Sequence, residues 1–135
     1  MIGKKTLSDE KLALITFSGP LSKTGEIIED VMEFISSEDL EIAGDPVVIF
    51  YTSPLKDDGR YDAGIPIKGE SEGAGDIKIV TIPEHTVIFK EYTENRNEAY
   101  EELIAYTEEN GIDIIGAPRE IYHEKVREIQ FPVIL

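Results

Sequence analysis

Five consecutive residues, Arg119-Glu120-Ile121-Tyr122-His123, carry the densest chemistry in the sequence. On an extended strand side chains alternate, so Glu120 and Tyr122 share one face while Arg119, Ile121 and His123 share the other. A carboxylate beside an aromatic ring on a half-buried face suits two roles. Burial favours a protonated carboxyl for acid/base work, whereas an organic cation favours the ionised form. Two more acids hold matching places, Asp62 four residues before Pro66 and Glu128 four before Pro132. With Glu120 they would make a three-carboxylate set at a cleft, although a surface position is as good a reading for each. Phe17, Phe50, Tyr92, Tyr106 and Tyr122 supply aromatic surface to border that cleft, and the helical spacing of Tyr106 also suits a core position.

Other chemistries lack their residues. The absence of cysteine removes thiol nucleophiles, disulfides and Cys-ligated metals. His123-Glu124 lacks the second histidine of a zinc-protease helix, and no metal site is expected. Asp57-Asp58-Gly59 lacks a calcium loop's acidic ladder and reads as a turn. Ser18-Gly19-Pro20 is not a nucleophile elbow. No glycine-rich loop opens a helix to cradle phosphate, so no cofactor is expected.

The elements that must position these residues come from an internal repeat. Gly44-Asp45-Pro46 and Gly116-Ala117-Pro118 match at an offset of 72 (116 − 44). The same offset pairs Ile15 with Val87, Phe17 with Phe89, Val31 with Leu103, Phe34 with Tyr106 and Phe50 with Tyr122. It sets Glu120 against Val48, so an apolar-facing position has acquired a carboxylate in one copy only. Each copy reads as a strand (12–17; 85–90), a helix with Ile27, Ile28, Val31, Phe34 and Ile35 or Ala99, Tyr100, Leu103, Tyr106 and Thr107 on one face, and two further strands. Asn95 with Glu98 forms a capping box, Asn110-Gly111 a helix stop, and Pro66 and Pro132 suit strand edges. The expected fold is α+β: a duplicated strand-helix-strand-strand module, two antiparallel halves related by a pseudo-two-fold axis with a ligand cleft at the seam. The single domain 1–135 divides into a first repeat at about 11–68, a flexible connector at 69–76 and a second repeat at about 77–135.

Charge narrows the partners. With 13 Lys and Arg against 28 Asp and Glu, the net charge is −15, which repels nucleic acid and anionic membrane and favours organic cations or a basic protein surface. No membrane span or leader is evident, so a cytoplasmic protein, monomeric or weakly dimeric, is expected. Only about ten residues precede the first repeat strand, too few for a helix-turn-helix.

Gly116-Ala117-Pro118-Arg119-Glu120-Ile121-Tyr122, then Glu128-Ile129-Gln130-Phe131-Pro132-Val133, and in the first copy Gly59-Arg60-Tyr61-Asp62 before Gly64-Ile65-Pro66-Ile67, resemble the GyrI-like effector-binding domain family, the ligand module also found in multidrug-sensing activators. The resemblance implies a free-standing binding domain for cationic or amphipathic aromatic compounds, with Glu120 as pocket acid, Tyr122 beside it, and Glu128 and Asp62 as the acids of the closing strands. The 122–128 connection is shorter than in the family, and Tyr106 stands where many members carry Trp. Two alternatives accompany it. One is a small hydrolase of strained, cyclopropane-type toxins using Glu120, Glu128 and Tyr122, and the other is a protein-interaction module of the gyrase-inhibitor type. Binding is favoured over catalysis.

Overall fold

In a computed structural model describing residues 1–135, the repeat is realised as ten strands and two helices. In chain order these are β1 (Gly3–Leu7), β2 (Glu10–Pro20), α1 (Thr24–Ser37), β3 (Glu41–Ile42), β4 (Val47–Phe50), β5 (Asp58–Lys68), β6 (Ile77–Ile82), β7 (His85–Tyr92), α2 (Arg96–Asn110), β8 (Asp113–Ile114), β9 (Arg119–Tyr122) and β10 (Arg127–Ile134). The strands form one antiparallel sheet in the order β1-β7-β10-β9-β4-β5-β2-β6, with β3 and β8 as short additions to β5 and β10. The order reads alike from both edges. Its midpoint is the β4–β9 pair, where Val48 faces Glu120, its own repeat equivalent. The two halves therefore share one continuous sheet, and the pseudo-two-fold axis passes through this residue pair. The edge strands are exchanged, since β1 pairs with the second copy's β7 and β6 with the first copy's β2.

The repeat holds at 72 through the helices, where Ile27, Ile28, Val31 and Ile35 are buried in α1 and Ala99, Tyr100, Leu103 and Thr107 in α2. The first strand is different. Ile15 pairs with Ala63 and Lys90 with Ile129, so β2 matches β7 at an offset of 75 (90 − 15). The ungapped alignment of Phe17 with Phe89 is thereby corrected, because a three-residue 3-10 turn at Leu21–Lys23 intervenes in the first copy only. An odd shift exchanges the faces of a strand. Phe17 is equivalent to Tyr92, and both face the helices, whereas Phe89 lies on the other side beneath Lys5.

Pro66 and Pro132 sit inside the sheet rather than at its edge. Pro66 accepts from the Ala43 N–H (2.8 Å) and Pro132 from the Ile115 N–H (2.9 Å), so each ring nitrogen points to the same side as its carbonyl, where the neighbouring strand is interrupted at Gly44 or Gly116. A missing N–H costs nothing opposite such a break. Gly111 ends α2 in the left-handed conformation (φ 60°), but Asn95 is left-handed as well (φ 58°, ψ 48°) and makes no capping bond, because an N-cap needs extended backbone. The 69–76 connector ends in a turn closed by the reciprocal Ala74–Ile77 bonds (3.2 and 3.0 Å), with positive φ at Gly73 and Gly75.

Both helices cover one face, where α1 packs with Val48, Phe50, Tyr61 and Ile65, and α2 with Ile88, Ile129 and Phe131. The other face has no helix, yet Leu12, Leu14, Val47 and Arg119 are buried there. Arg119 Nη1 on β9 reaches Glu10 Oε1 on β2 at 3.1 Å. In a flat sheet strands three positions apart lie about 14 Å from one another. The sheet therefore curls toward its helix-free face. No helix is long and apolar enough to cross a membrane.

At Gly64, where β5 packs closely against β2, a Cβ would collide with the Ala13 carbonyl oxygen and with Leu14. Backbone cannot yield as a flexible side chain does, so Gly64→Ala is expected to destabilise the fold by about 1–3 kcal/mol, read as a lower urea midpoint with an unchanged slope.

Candidate functional site

Glu120 is 1% exposed and sits at the centre of the helix-covered face. Four donors meet its two oxygens. Tyr92 from the end of β7 donates to Oε1. Oε2 accepts from Arg96 Nε (3.0 Å), Arg96 Nη2 (2.7 Å) and the Tyr100 hydroxyl (2.7 Å). Arg96 and Tyr100 stand four residues apart, one turn, on the same face of α2. The Arg96 guanidinium also lies 5.6 Å from the Phe50 ring and 5.0 Å from the Tyr100 ring, within cation–π range.

Burial raises the pKa of the Tyr92 and Tyr100 hydroxyls, and the adjacent Glu120 carboxylate raises both further, so they stay protonated as donors. Burial works against the charge of Arg96, but its bond to Glu120 outweighs that and holds the guanidinium protonated above its ordinary range. Tyr122 is raised by burial first and by Glu120 second. It stands on the same face, with the Arg127 guanidinium 4.1 Å over its ring.

A cleft opens over this cluster between the starts of the two helices. One arm, about 390 Å³, is bordered by Tyr92, Arg96, Tyr122, Glu124 and Arg127. The other, about 450 Å³, is bordered by Pro20, Thr24, Asp57 and again Arg96, Tyr122 and Arg127. These volumes suit a small organic molecule.

Of the residues singled out from the sequence, the structure gathers Glu120, Tyr122, Phe50 and Tyr92. Phe17 lies on the same face but packs on Tyr61, with ring centroids 5.3 Å apart. Tyr106 packs toward Ile2 on the far side of α2 and does not join the cluster. The three-carboxylate set does not form. Glu128 pairs with Ile121 and Asp62 with Ile49, which puts both acids on the helix-free face, opposite to Glu120. Asp62 accepts there from Thr16 and Tyr51 (2.6 Å each). Counting back from the prolines located these two acids on their strands but did not fix their face. Arg96 is the principal addition, and its only signature is the four-residue spacing to Tyr100.

Glu128, 4% exposed, belongs to a separate polar basin of about 410 Å³ on the helix-free face. It is held by Lys5 (2.7 Å), Gln130 (2.7 Å) and His123 Nε2 (3.0 Å), while His123 Nδ1 meets Asp45 at 2.7 Å. Every buried side-chain polar atom in the chain has a partner. Burial opposes the Glu128 charge, but the bonds from Gln130, Lys5 and His123 outweigh it and lower the pKa. The bond to Asp45, aided by Glu128, raises that of His123.

Comparison with known proteins agrees on the fold. No family model matches the sequence, and no curated protein matches it significantly. Among solved structures, the chain aligns with the C-terminal domain of EcmrR at a TM-score of 0.87 and 19% identity, covering 99% of this chain and 97% of that one. It spans 57% of the EcmrR chain seen in a DNA complex, again at a TM-score of 0.87. SAV2435 bound to tetraphenylphosphonium aligns at 0.63 with 13% identity, covering 99% and 94% of the two chains, and a Listeria innocua protein described as a hydrolase at 0.66 with 10%, covering 98% and 91%. The chain thus has the fold of the EcmrR C-terminal domain, α+β with a large antiparallel sheet and two helices.

The opposed shifts of His123 and Glu128 fix a pH window for the basin. A raised His123 pKa adds stability that is full below the unfolded value of 6.5 and lost as pH rises through the folded value. A lowered Glu128 pKa adds stability that is full above 4.5 and lost as pH falls through the folded value. The Tm difference between the parent and His123→Gln is therefore expected to be largest between pH 4.5 and 6.5 and to shrink on either side.

Proposed function

We propose that this chain binds small cationic or amphipathic aromatic molecules at the seam cleft, with Glu120 as the charge that receives them. The observation carrying this reading is a fully buried carboxylate at the centre of the sheet, held by Tyr92, Arg96 and Tyr100, of which Tyr92 and Arg96 border a cleft beside Tyr122. A buried charge is costly, and one whose partners border a cleft is a candidate binding group. Charge with aromatic faces recognises delocalised organic cations. A protein of the same fold, SAV2435, has been solved bound to such a cation, which supports the reading by analogy of fold.

A hydrolase is the second reading, supported by the neighbours of that description. Of its two candidate acids, Glu128 lies on the helix-free face away from this cleft, which leaves Glu120. Both oxygens of Glu120 are engaged by donors, so it is poorly placed to abstract a proton.

Calorimetric titration with tetraphenylphosphonium tests the proposal. The parent chain is expected to bind it and Glu120→Gln to bind at least about tenfold more weakly, equivalent to about 1.4 kcal/mol. Equal affinity in the two chains would remove Glu120 from recognition. Mass spectrometry of the recovered ligand, extended to strained electrophiles, would reveal turnover as a water adduct.

A further inference from the structure

The pocket that would receive a cation already holds one, supplied by the chain itself. A carboxylate offers about four lone-pair positions, and Arg96, Tyr92 and Tyr100 direct four donors at Glu120. The Arg96 guanidinium also has the Phe50 and Tyr100 rings at 5.6 and 5.0 Å. Carboxylate and aromatic faces together are the contacts a ligand cation would need. Three of the four donors converge on Oε2, two of them from Arg96, so a second cation can take that oxygen only when Arg96 leaves it.

Arg96 is also placed to leave. It is the first residue of α2, follows a left-handed Asn95 that makes no capping bond, and its side chain is 23% exposed to the cleft. Each arm of the cleft offers it another acid, Asp57 in one and Glu124 in the other.

We propose that Arg96 is a resident counter-cation that determines the specificity of the site, so that a ligand reaches Glu120 only by displacing the guanidinium. This inference rests on the small-molecule reading of the same cleft. A small ammonium ion such as tetramethylammonium would replace one charge by another that donates no hydrogen bond to the carboxylate and buries little apolar surface, so the exchange gains nothing. A bulky aromatic cation would bury more apolar surface against Tyr122 and Phe50 than the small guanidinium does. The site thus admits delocalised aromatic cations and rejects simple ammonium ions.

The test compares the parent with Arg96→Gln, titrated with tetraphenylphosphonium and with tetramethylammonium, and follows the Arg96 Nε–H signal of the parent by NMR. The variant is expected to bind tetraphenylphosphonium at least about tenfold more tightly than the parent and to gain measurable affinity for tetramethylammonium. In the parent, the Arg96 signal should move to a solvent-exposed position as tetraphenylphosphonium saturates. Equal or weaker affinity in the folded variant overturns the inference, as does an Arg96 signal that stays in place while the parent saturates. The NMR signal decides alone if the variant does not fold. Binding of equal strength by both chains leaves the small-molecule reading standing and removes only the role of Arg96, whereas binding by neither removes both.

Discussion

A carboxylate taken wholly out of water must be met by charge and by donors, and this requirement organises the helix-covered face of the protein. Glu120 lies on the sheet's midline, so its partners must come from above the sheet, and α2 delivers two of them from a single turn. Tyr92 arrives from β7, two strands away from β9 in the sheet order. The carboxylate thereby ties α2 to both β7 and β9, while the apolar packing of Ala99, Leu103 and Ile129 sets the depth at which the helix lies. Breaking a buried pair by removing one partner typically costs about 3–5 kcal/mol. The site and the docking of α2 are one structure.

The two faces of the sheet solve the polar problem differently. On the helix side the buried charge lies beneath an open cleft. On the curled side Glu10, Arg119, Gln130, Glu128, Lys5, His123 and Asp45 form a connected network that joins β1, β2, β9 and β10. A network with every member satisfied specifies a single arrangement. Both clusters are satisfied in this way, and they differ in their surroundings: Tyr92 and Tyr122 border the helix-side cleft, whereas no Phe or Tyr borders the basin of similar volume.

Much of this was legible in the sequence, and the failures on the strands share one cause. The offset of 72 located both helices, the β4–β9 partners and the departure of Glu120 from Val48. Helical periodicity survives small errors of register, but a strand's period of two does not. The Leu21–Lys23 insertion shifted β2 by three residues, which turned the comparison of Phe17 with Phe89 into one between opposite faces. Asp62 and Glu128 were assigned to the cleft by counting from a proline, and such a count gives distance along a strand without its face. Arg96 was illegible for another reason. A charged residue in the first turn of a helix ordinarily faces water, and only the tertiary position of Glu120 turns it inward.

The one-sidedness of the site follows from its place on the axis. A residue on a two-fold axis faces its own equivalent, and cross-strand neighbours have Cβ atoms about 4.5–5.5 Å apart. A carboxyl at position 48 opposite Glu120 would put two like charges in contact, and one of the two would take up a proton. Only one copy can carry the charge, and Val48 is the complement that leaves it to Glu120. Its donors follow the same division, since Tyr92, Arg96 and Tyr100 correspond in the first copy to Phe17, Thr24 and Ile28. Two similar halves therefore make one site, because the position that best shields a charge from water is also the one where symmetry forbids a second.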